Sequence, residues 1–165
     1  MIQKDFLQEI IRQQKEMLQI KEKGMLRNEL KTLPDIDNYA LIVSGVRRCG
    51  KSTLLHQLLK QKHTEALYIN FDDPRLYDFE ISDFQKLDMI ISEAGNQVLM
   101  FDEIQVVTGW ERYVRQKLDE SFKVFVTGSN ASLLSKELGT SLTGRHLTIE
   151  LFPFSYDEFC RFKDF

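Results

Sequence analysis

One run of the chain, Gly45–Ser52, reads GVRRCGKS and matches the pattern G-x-x-x-x-G-K-[ST] at every fixed position. In this pattern the glycines let the backbone curl, so that successive N–H groups and the start of a following helix point at one anion. The flanking sequence agrees, because residues 39–44 form an apolar run suited to a buried parallel strand and residues 53–59 have helical apolar spacing. The run predicts a phosphate-binding loop between a strand and a helix; the alternative is an ordinary glycine turn.

The loop pattern assigns a role to each of its fixed polar residues. Lys51 is predicted to reach the β- and γ-phosphates of a nucleoside triphosphate and so to take part in catalysis. Ser52 places a small hydroxyl at the first turn of the helix, where it would ligate the Mg²⁺ that bridges the same phosphates, and Thr53 adds a further phosphate contact. The predicted nucleotide-binding residues are Gly45, Val46, Arg47, Arg48, Cys49, Gly50, Lys51, Ser52 and Thr53.

A second run, Val98–Glu103, has four apolar residues followed by two carboxylates. An apolar strand of this kind carries the acids to the carboxyl edge of an α/β sheet, where such folds bind their ligands. Asp102 is predicted to hold Mg²⁺, mostly through water, and Glu103 to orient and polarise the water that attacks the γ-phosphate. The alternative is a strand that ends in a solvated acidic turn, which the phosphate loop elsewhere in the chain disfavours.

Two later strand ends supply further candidates. A strand over 123–127 runs into Ser129 and Asn130; Asn130 is our choice for a contact with the γ-phosphate or the water, with Ser129 second, and the alternative is capping of the next helix. Arg145 precedes a short strand over 146–151. On spacing alone, a phosphate contact and a surface arginine are equally supported for Arg145.

Two adjacent acids, Asp72 and Asp73, follow an apolar run over 66–71 and precede Pro74. A metal site is one interpretation of such a pair. Acidic residues before proline are also ordinary turn residues, and the turn is the favoured interpretation.

Composition limits the classes of protein to which the chain can belong. Its 165 residues are 42% hydrophobic and 28% charged, which predicts one globular domain with a core and argues against disorder. A net charge of -3 gives no overall reason to expect binding of nucleic acid, although it does not exclude a local basic patch. Two cysteines without metal-ligand spacing predict reduced thiols, and no apolar run approaches the roughly 20 residues of a membrane span. We therefore expect a soluble, cytoplasmic protein without a membrane partner.

The first part of the chain, residues 1–38, is predicted to form an N-terminal helix and a connector, and residues 39–165 the nucleotide-binding core. Apolar residues recur at helical spacing from Ile2 to about Lys23, and Gly24 is expected to end this amphipathic helix. A membrane or partner helix is the alternative. The polar face mixes acidic and basic residues, which favours packing against the chain's own core.

Five stretches of the chain together resemble the AAA-type domain of a microbial ATPase family whose members carry a C-terminal domain of unknown function. They are Gly45–Ser52, Asn70–Arg75, Val98–Trp110, Thr127–Asn130 and Leu142–Arg145. The resemblance covers nearly the whole chain and implies a three-layer α/β/α P-loop NTPase fold with a central parallel sheet of about five strands. It also implies that the strand before Asn130 lies between the phosphate-loop strand and the Asp102 strand, which is the additional-strand, catalytic-glutamate order.

This order places the strand before Asp72 at the sheet edge, roughly 14 Å from the phosphate loop, and so argues against a metal site there. For Arg145 the resemblance implies a phosphate-sensing or finger role, in its own subunit or in a neighbour's. Such proteins usually continue well beyond Pro153, so we expect the chain to be an N-terminal fragment that stops before a helical lid and a C-terminal domain.

The expected function is Mg²⁺-dependent binding and hydrolysis of ATP, coupled to a conformational change or to assembly as a homo-oligomer. One alternative is a small-molecule kinase; the Asp102–Glu103 pair, the Asn130 strand and the lack of an arginine-rich acceptor lid favour hydrolysis over it. Another is a slow, nucleotide-gated switch that binds DNA or a protein through the C-terminal region.

Overall fold

The computed structural model describes residues 1–129 and 140–164. Within these ranges the chain forms a parallel sheet with helices on both faces. The strands are β1 (Ala40–Ser44), β2 (Leu67–Asn70), β3 (Val98–Asp102), β4 (Lys123–Gly128) and β5 (His146–Glu150). The helices are α1 (Lys4–Ile20), α2 (Glu29–Thr32), α3 (Lys51–Gln61), α4 (Phe84–Ala94), α5 (Trp110–Asp119) and α6 (Tyr156–Phe162). Short 3₁₀ turns cover Pro74–Leu76, Ile81–Asp83 and Ile104–Val106.

The five described strands are all parallel and lie in the order β2-β3-β4-β1-β5. The predicted fold class is confirmed, including the position of β4 between the phosphate-loop strand β1 and the acidic strand β3. Because parallel strands end at one edge of the sheet, the loop after β1, the acids at the end of β3 and the residues after β4 meet at that edge.

Strands β1 to β4 are largely buried on both faces because each face is covered by helices, whereas β5 at the edge of the sheet is partly exposed. Along β1 the side chains alternate: Ile42 belongs to the core beneath α1, α4 and α5, whereas Leu41 and Val43 belong to the core beneath α3. All five β1 residues are buried. This explains why the sequence shows a continuous apolar run rather than an alternating one.

Helix α1 packs on the domain's own core through Leu7, Ile10 and Ile11, as its mixed-charge polar face predicts. It also covers the edge of the sheet, because the side-chain amide of Gln14 accepts a hydrogen bond from Asn70 N (2.9 Å) and donates one to Asn70 O (3.1 Å). None of the helices in the described ranges is both long and apolar enough to cross a membrane.

The expected end of α1 at Gly24 is wrong, because the helix stops at Ile20 and Lys21 has extended backbone angles. The next residues, 21–27, form an irregular segment along α3, which we call the strap. Gln57 of α3 is fully buried and donates hydrogen bonds to the carbonyl oxygens of Lys23 (3.0 Å) and Met25 (2.8 Å) in the strap. These bonds satisfy backbone groups that a continued helix would otherwise have paired.

Candidate functional site

The phosphate-loop residues form a tight turn that leads from β1 into α3. Gly45 and Gly50 have φ angles of 155° and 100°. A β-carbon on Gly45 would lie 2.4 Å from the carbonyl oxygen of Leu151, and one on Gly50 would lie 2.8 Å from Nη1 of Arg27. The loop therefore needs glycine at both positions for steric as well as conformational reasons.

Lys51 begins helix α3 and folds back over the loop. Its ammonium donates hydrogen bonds to the carbonyl oxygens of Gly45 (3.1 Å) and Val46 (2.8 Å), and the side chain is buried. The first N–H groups of a helix have no partner within the helix and carry its positive dipole end. A cation and free N–H groups thus converge at one point, as binding of an oxyanion requires.

Asp102 is fully buried at the end of β3, and among the described residues no lysine or arginine forms an ion pair with it. Three hydroxyl groups donate to its carboxylate instead: that of Tyr68 at 2.7 Å, that of Thr127 and that of Ser52. Burial raises the pKa of Asp102, and these hydrogen bonds oppose the increase. A buried carboxylate beside a serine hydroxyl is a donor set that suits a hard cation such as Mg²⁺.

Glu103 has a left-handed backbone conformation, with φ of 54°. Such a conformation costs a non-glycine residue on the order of 1–3 kcal/mol. It is held in place because its backbone N–H donates to Oγ1 of Thr127 at 2.9 Å. The carboxylate accepts hydrogen bonds from Ser129 and from the side-chain amide of Gln105 at 2.6 Å. Strain at this residue is therefore offset by bonds that fix where its carboxylate lies.

The loop and Glu103 border one cavity of about 220 Å³. Its lining residues are Arg48, Gly50, Lys51, Ser52, Thr53 and Glu103. Asp102 joins this group through the hydroxyl of Ser52. The structure thus brings together most of the candidates that the two sequence runs supply.

The remaining candidates have different positions. Ser129, our second choice after β4, contacts Glu103, whereas Asn130 lies outside the described residues. Arg145 precedes β5, whose first residue pairs with Ala40 at the start of β1. With β1 five residues long, Arg145 lies at the opposite edge of the sheet, roughly 13 Å of strand away from the loop.

The guanidinium of Arg145 donates hydrogen bonds to the carboxylate of Asp119 and to the carbonyl oxygen of Asn38 at 3.2 Å. An arginine side chain held at this edge does not reach the loop of its own chain. The structure therefore does not bring Arg145 to the loop of its own chain, and a role for it at a phosphate stays a prediction, which this position favours in a neighbouring subunit.

The adjacent acids at the edge of the sheet take part in turn structure. Asp73 accepts hydrogen bonds from the backbone N–H of Arg75 (3.0 Å) and from its guanidinium (2.7 Å). Gln14 of α1 donates to the same carboxylate at 3.0 Å. These contacts support the turn interpretation of Asp72 and Asp73.

The sequence reasoning missed three contributors to the site: Tyr68, Thr127 and Arg27. Two of them could have been found from strand alternation. Tyr68 lies on the same face as Met100 and Asp102, since it pairs with Met100 and side chains alternate along a strand. Thr127 follows Val126, which pairs with Phe101, and so lies beside Asp102. Arg27 belongs to the connector, where no periodicity marks it.

The sequence profile of a family described as an AAA domain matches residues 37–160. The match covers most of the chain, including the whole sheet and the loop. The chain belongs to this AAA domain family. Membership indicates a nucleotide-binding, ATPase-like domain, in agreement with the geometry of the loop.

Two curated relatives share this AAA domain sequence. An uncharacterized protein of Methanocaldococcus jannaschii is 40% identical over 153 residues, which cover 90% of this chain and 34% of that protein. An uncharacterized protein of Haemophilus influenzae is 36% identical over 140 residues, which cover 77% of this chain and 34% of that protein. The chain thus spans about a third of the length of these relatives.

Proposed function

We propose that this AAA domain binds ATP with Mg²⁺ and hydrolyses it to ADP and phosphate, with residues 39–165 as the catalytic core. The observation that carries the proposal is the sharing of Thr127 by the two acids. Its hydroxyl donates to Asp102 and accepts from the backbone N–H of Glu103. One threonine therefore fixes a buried carboxylate next to Ser52 and a second carboxylate inside the cavity of the loop.

The two acids have environments that suit different roles. Asp102, with Ser52, would hold Mg²⁺, which when bound offsets negative charge on the β- and γ-phosphates. Glu103 lines the cavity and accepts hydrogen bonds from Ser129 and Gln105, so its carboxylate is oriented to accept a proton from a water molecule. That water attacks the γ-phosphorus as the bond to the ADP oxygen breaks, and phosphate and ADP are the products. Lys51 neutralises charge on the transferred group.

The relative positions of Glu103 and the loop favour hydrolysis over transfer to a small-molecule acceptor. A carboxylate that lines the phosphate cavity occupies the place where an attacking water would be activated. A small-molecule kinase could use the same carboxylate as the base for an acceptor hydroxyl, but it would also need a site that holds the acceptor beside it. Mixing the protein with ATP, Mg²⁺ and candidate acceptors distinguishes the two activities, because hydrolysis releases phosphate without any acceptor.

The test compares the parent with two isosteric variants in the full chain. Glu103→Gln should bind ATP with Mg²⁺ normally and hydrolyse it roughly 10² to 10⁴-fold more slowly, which is the usual contribution of a positioned base. Asp102→Asn should lose Mg²⁺-dependent affinity instead. Glu65→Gln, at an exposed position, is the matched control and should behave as the parent. A parent that releases no phosphate above background, or equal defects in the two variants, would contradict the proposed roles.

A further inference from the structure

Arg27 of the strap is one of the largest fully buried side chains among the described residues, at 1% exposure. Its guanidinium donates to the carbonyl oxygen of Cys49 in the phosphate loop at 2.6 Å and to that of Phe152 at 2.6 Å. A third bond, from Nε, reaches Oε1 of Glu158 in α6 at 2.9 Å. A single side chain thus connects the loop to the segment that follows β5.

The strap holds Arg27 against the helix that the loop begins. Besides its bonds to Lys23 and Met25, Gln57 of α3 accepts a hydrogen bond from the backbone N–H of Arg27 at 3.1 Å. The amide nitrogen and the amide oxygen of this buried side chain are therefore both engaged by the strap. Arg27 approaches the loop from a backbone that is fixed to α3.

Glu158 holds the other end of the guanidinium. It is buried, accepts hydrogen bonds from the backbone N–H groups of Asn28 (2.9 Å) and Ser155 (2.8 Å), and forms the capping box of α6 with Ser155. Burial alone would raise the pKa of Glu158, but these backbone bonds and Arg27 lower it. The ring of Phe154 lies 5.3 Å from the guanidinium carbon and covers its face. The buried guanidinium thus faces the carboxylate of Glu158 and, at 3.7 Å from Nε, that of Glu29.

The bond to Cys49 determines how one peptide unit of the loop is turned. In a planar trans peptide the carbonyl oxygen of one residue and the N–H of the next point in opposite directions. Because the Cys49 carbonyl points at Arg27, the N–H of Gly50 points away from it. Gly50 also lines the phosphate cavity and could not carry a β-carbon with Arg27 in place.

We propose that Arg27 is a positioning residue of the phosphate-binding loop, which keeps the N–H of Gly50 available to a bound phosphate by holding the Cys49 carbonyl. Through Glu158 it ties this loop geometry to helix α6. The inference rests on the proposed binding of ATP, since the ligand that benefits is its phosphate chain. If Arg27 only stabilised the fold, replacing it would change the geometry of the loop no more than the loss of another ion pair does.

The matched control is a second ion pair, with a buried carboxylate and a partly exposed lysine, that does not contact the loop. Asp83 is fully buried and accepts hydrogen bonds from Lys86 (2.7 Å), from Ile2 N (3.0 Å) and from Glu80 N (3.0 Å). Asp83→Asn should lower thermal stability without changing the loop. Its comparison with Arg27 variants separates a general loss of stability from a local effect on the phosphate site.

Two measurements in the full chain test the inference, with Arg27→Met and Arg27→Lys as the variants. Without nucleotide, hydrogen exchange of the amides at 45–53 should be at least about tenfold faster in Arg27→Met than in Asp83→Asn. Calorimetry should show an apparent Kd for ATP with Mg²⁺ about tenfold higher, as expected if the competent loop geometry falls to about a tenth of the population. Arg27→Lys keeps a positive charge beside Glu158 but lacks the planar set of guanidinium donors. Compared with Arg27→Met, it should therefore recover more of the thermal stability than of the affinity for ATP.

The inference is overturned if Arg27→Met and Asp83→Asn show the same loop exchange and the same affinity. Should Arg27→Met not fold, Glu158→Gln replaces it in both measurements, with the same expected direction. Absence of ATP binding by the parent would contradict the proposed function, whereas the exchange measurement needs no nucleotide. The two failures are therefore distinguishable.

Discussion

The hydroxyl of Tyr68 donates a hydrogen bond of 2.7 Å to the carboxylate of Asp102 on the adjacent strand. Asp102 pairs in the sheet with Asn70, two residues beyond Tyr68 on the same face of β2. Burial raises the pKa of Tyr68, and the neighbouring carboxylate raises it further, so the phenol stays protonated and remains a donor. The edge strand of the sheet thereby fixes a carboxylate that we assign to Mg²⁺.

Tyr68→Phe removes this donor while keeping the ring. We expect a loss of about 1–2 kcal/mol in the free energy of unfolding, because a buried carboxylate loses a partner. We also expect affinity for ATP to fall by about tenfold in the presence of Mg²⁺, as for other residues that orient a metal ligand. Denaturant titration and calorimetry measure the two effects.

Tyr113→Phe is the control for this change, since Tyr113 donates a comparable 2.7 Å bond to Asp88 in a part of the fold that does not contact the loop. It should lower stability by less, because Asp88 is partly exposed and keeps its ion pair with Lys117, and it should leave nucleotide affinity unchanged. If Tyr68→Phe and Tyr113→Phe bind ATP equally well, Tyr68 does not orient the metal ligand.

Lys51→Ala should abolish measurable binding of ATP and leave the fold intact. Each charge-assisted hydrogen bond from the ammonium to a phosphate is worth about 1.5–3 kcal/mol, so losing two of them corresponds to roughly a hundredfold or more in Kd. Calorimetry on the variant, with circular dichroism as a check on folding, measures this. Lys60→Ala, at a lysine of the same helix that donates to the carbonyl oxygens of Gln19 and Lys21, should bind as the parent does. Unchanged affinity in Lys51→Ala would remove the loop from the proposal.

Arg145→Ala is expected to lower hydrolysis by roughly 10³ to 10⁵-fold and to change ATP affinity far less, if the arginine acts on a neighbouring subunit. Specific activity should then rise with protein concentration, and mixing Arg145→Ala with Glu103→Gln should restore part of it. Asp119→Asn keeps the arginine but removes its ion-pair partner, and should retain activity. If Arg145→Ala hydrolyses ATP as fast as the parent, Arg145 has no role in hydrolysis and is a surface residue.

Glu158→Gln should lower stability at neutral pH, because it removes the shorter of the two ion pairs of the buried Arg27 and leaves only the carboxylate of Glu29, at 3.7 Å from Nε. The pKa of Glu158 is lower in the folded state than its unfolded value of about 4.3. Its ionised form therefore stabilises the fold above that pH, and the contribution disappears as pH falls through the folded pKa. The difference between parent and variant in urea unfolding should shrink below about pH 4. A difference that is constant from pH 7 to pH 3 would mean that ionisation of Glu158 does not stabilise the fold.

Much of the fold follows from local sequence, because buried parallel strands appear as apolar runs and the phosphate loop has fixed residue types. The order of the strands required the family resemblance, since periodicity does not indicate which strands are neighbours. Once the order is known, alternation along β2 and β4 predicts Tyr68 and Thr127 beside Asp102. Those two contacts could therefore have been predicted in advance.

Other parts of the site depend on long-range contacts that leave no local pattern. Arg27 and Glu158 are 131 residues apart, and the ion pair between them forms only after both ends of the chain pack around the loop. The position of Arg145, by contrast, follows from strand direction alone. A residue that precedes a parallel strand lies at the amino edge of the sheet, whereas the phosphate loop lies at the carboxyl edge.

The pairing of Gln14 with both backbone groups of Asn70 has a consequence for contacts between molecules. An edge strand with free N–H and C=O groups is a template onto which another chain can add in register. Here the side-chain amide of Gln14 takes the N–H and the carbonyl oxygen of Asn70, and α1 packs against β2. A further strand would have to displace α1 in order to pair with β2. Among the described strands, β5 is therefore the edge that is better suited to the addition of a strand from another chain.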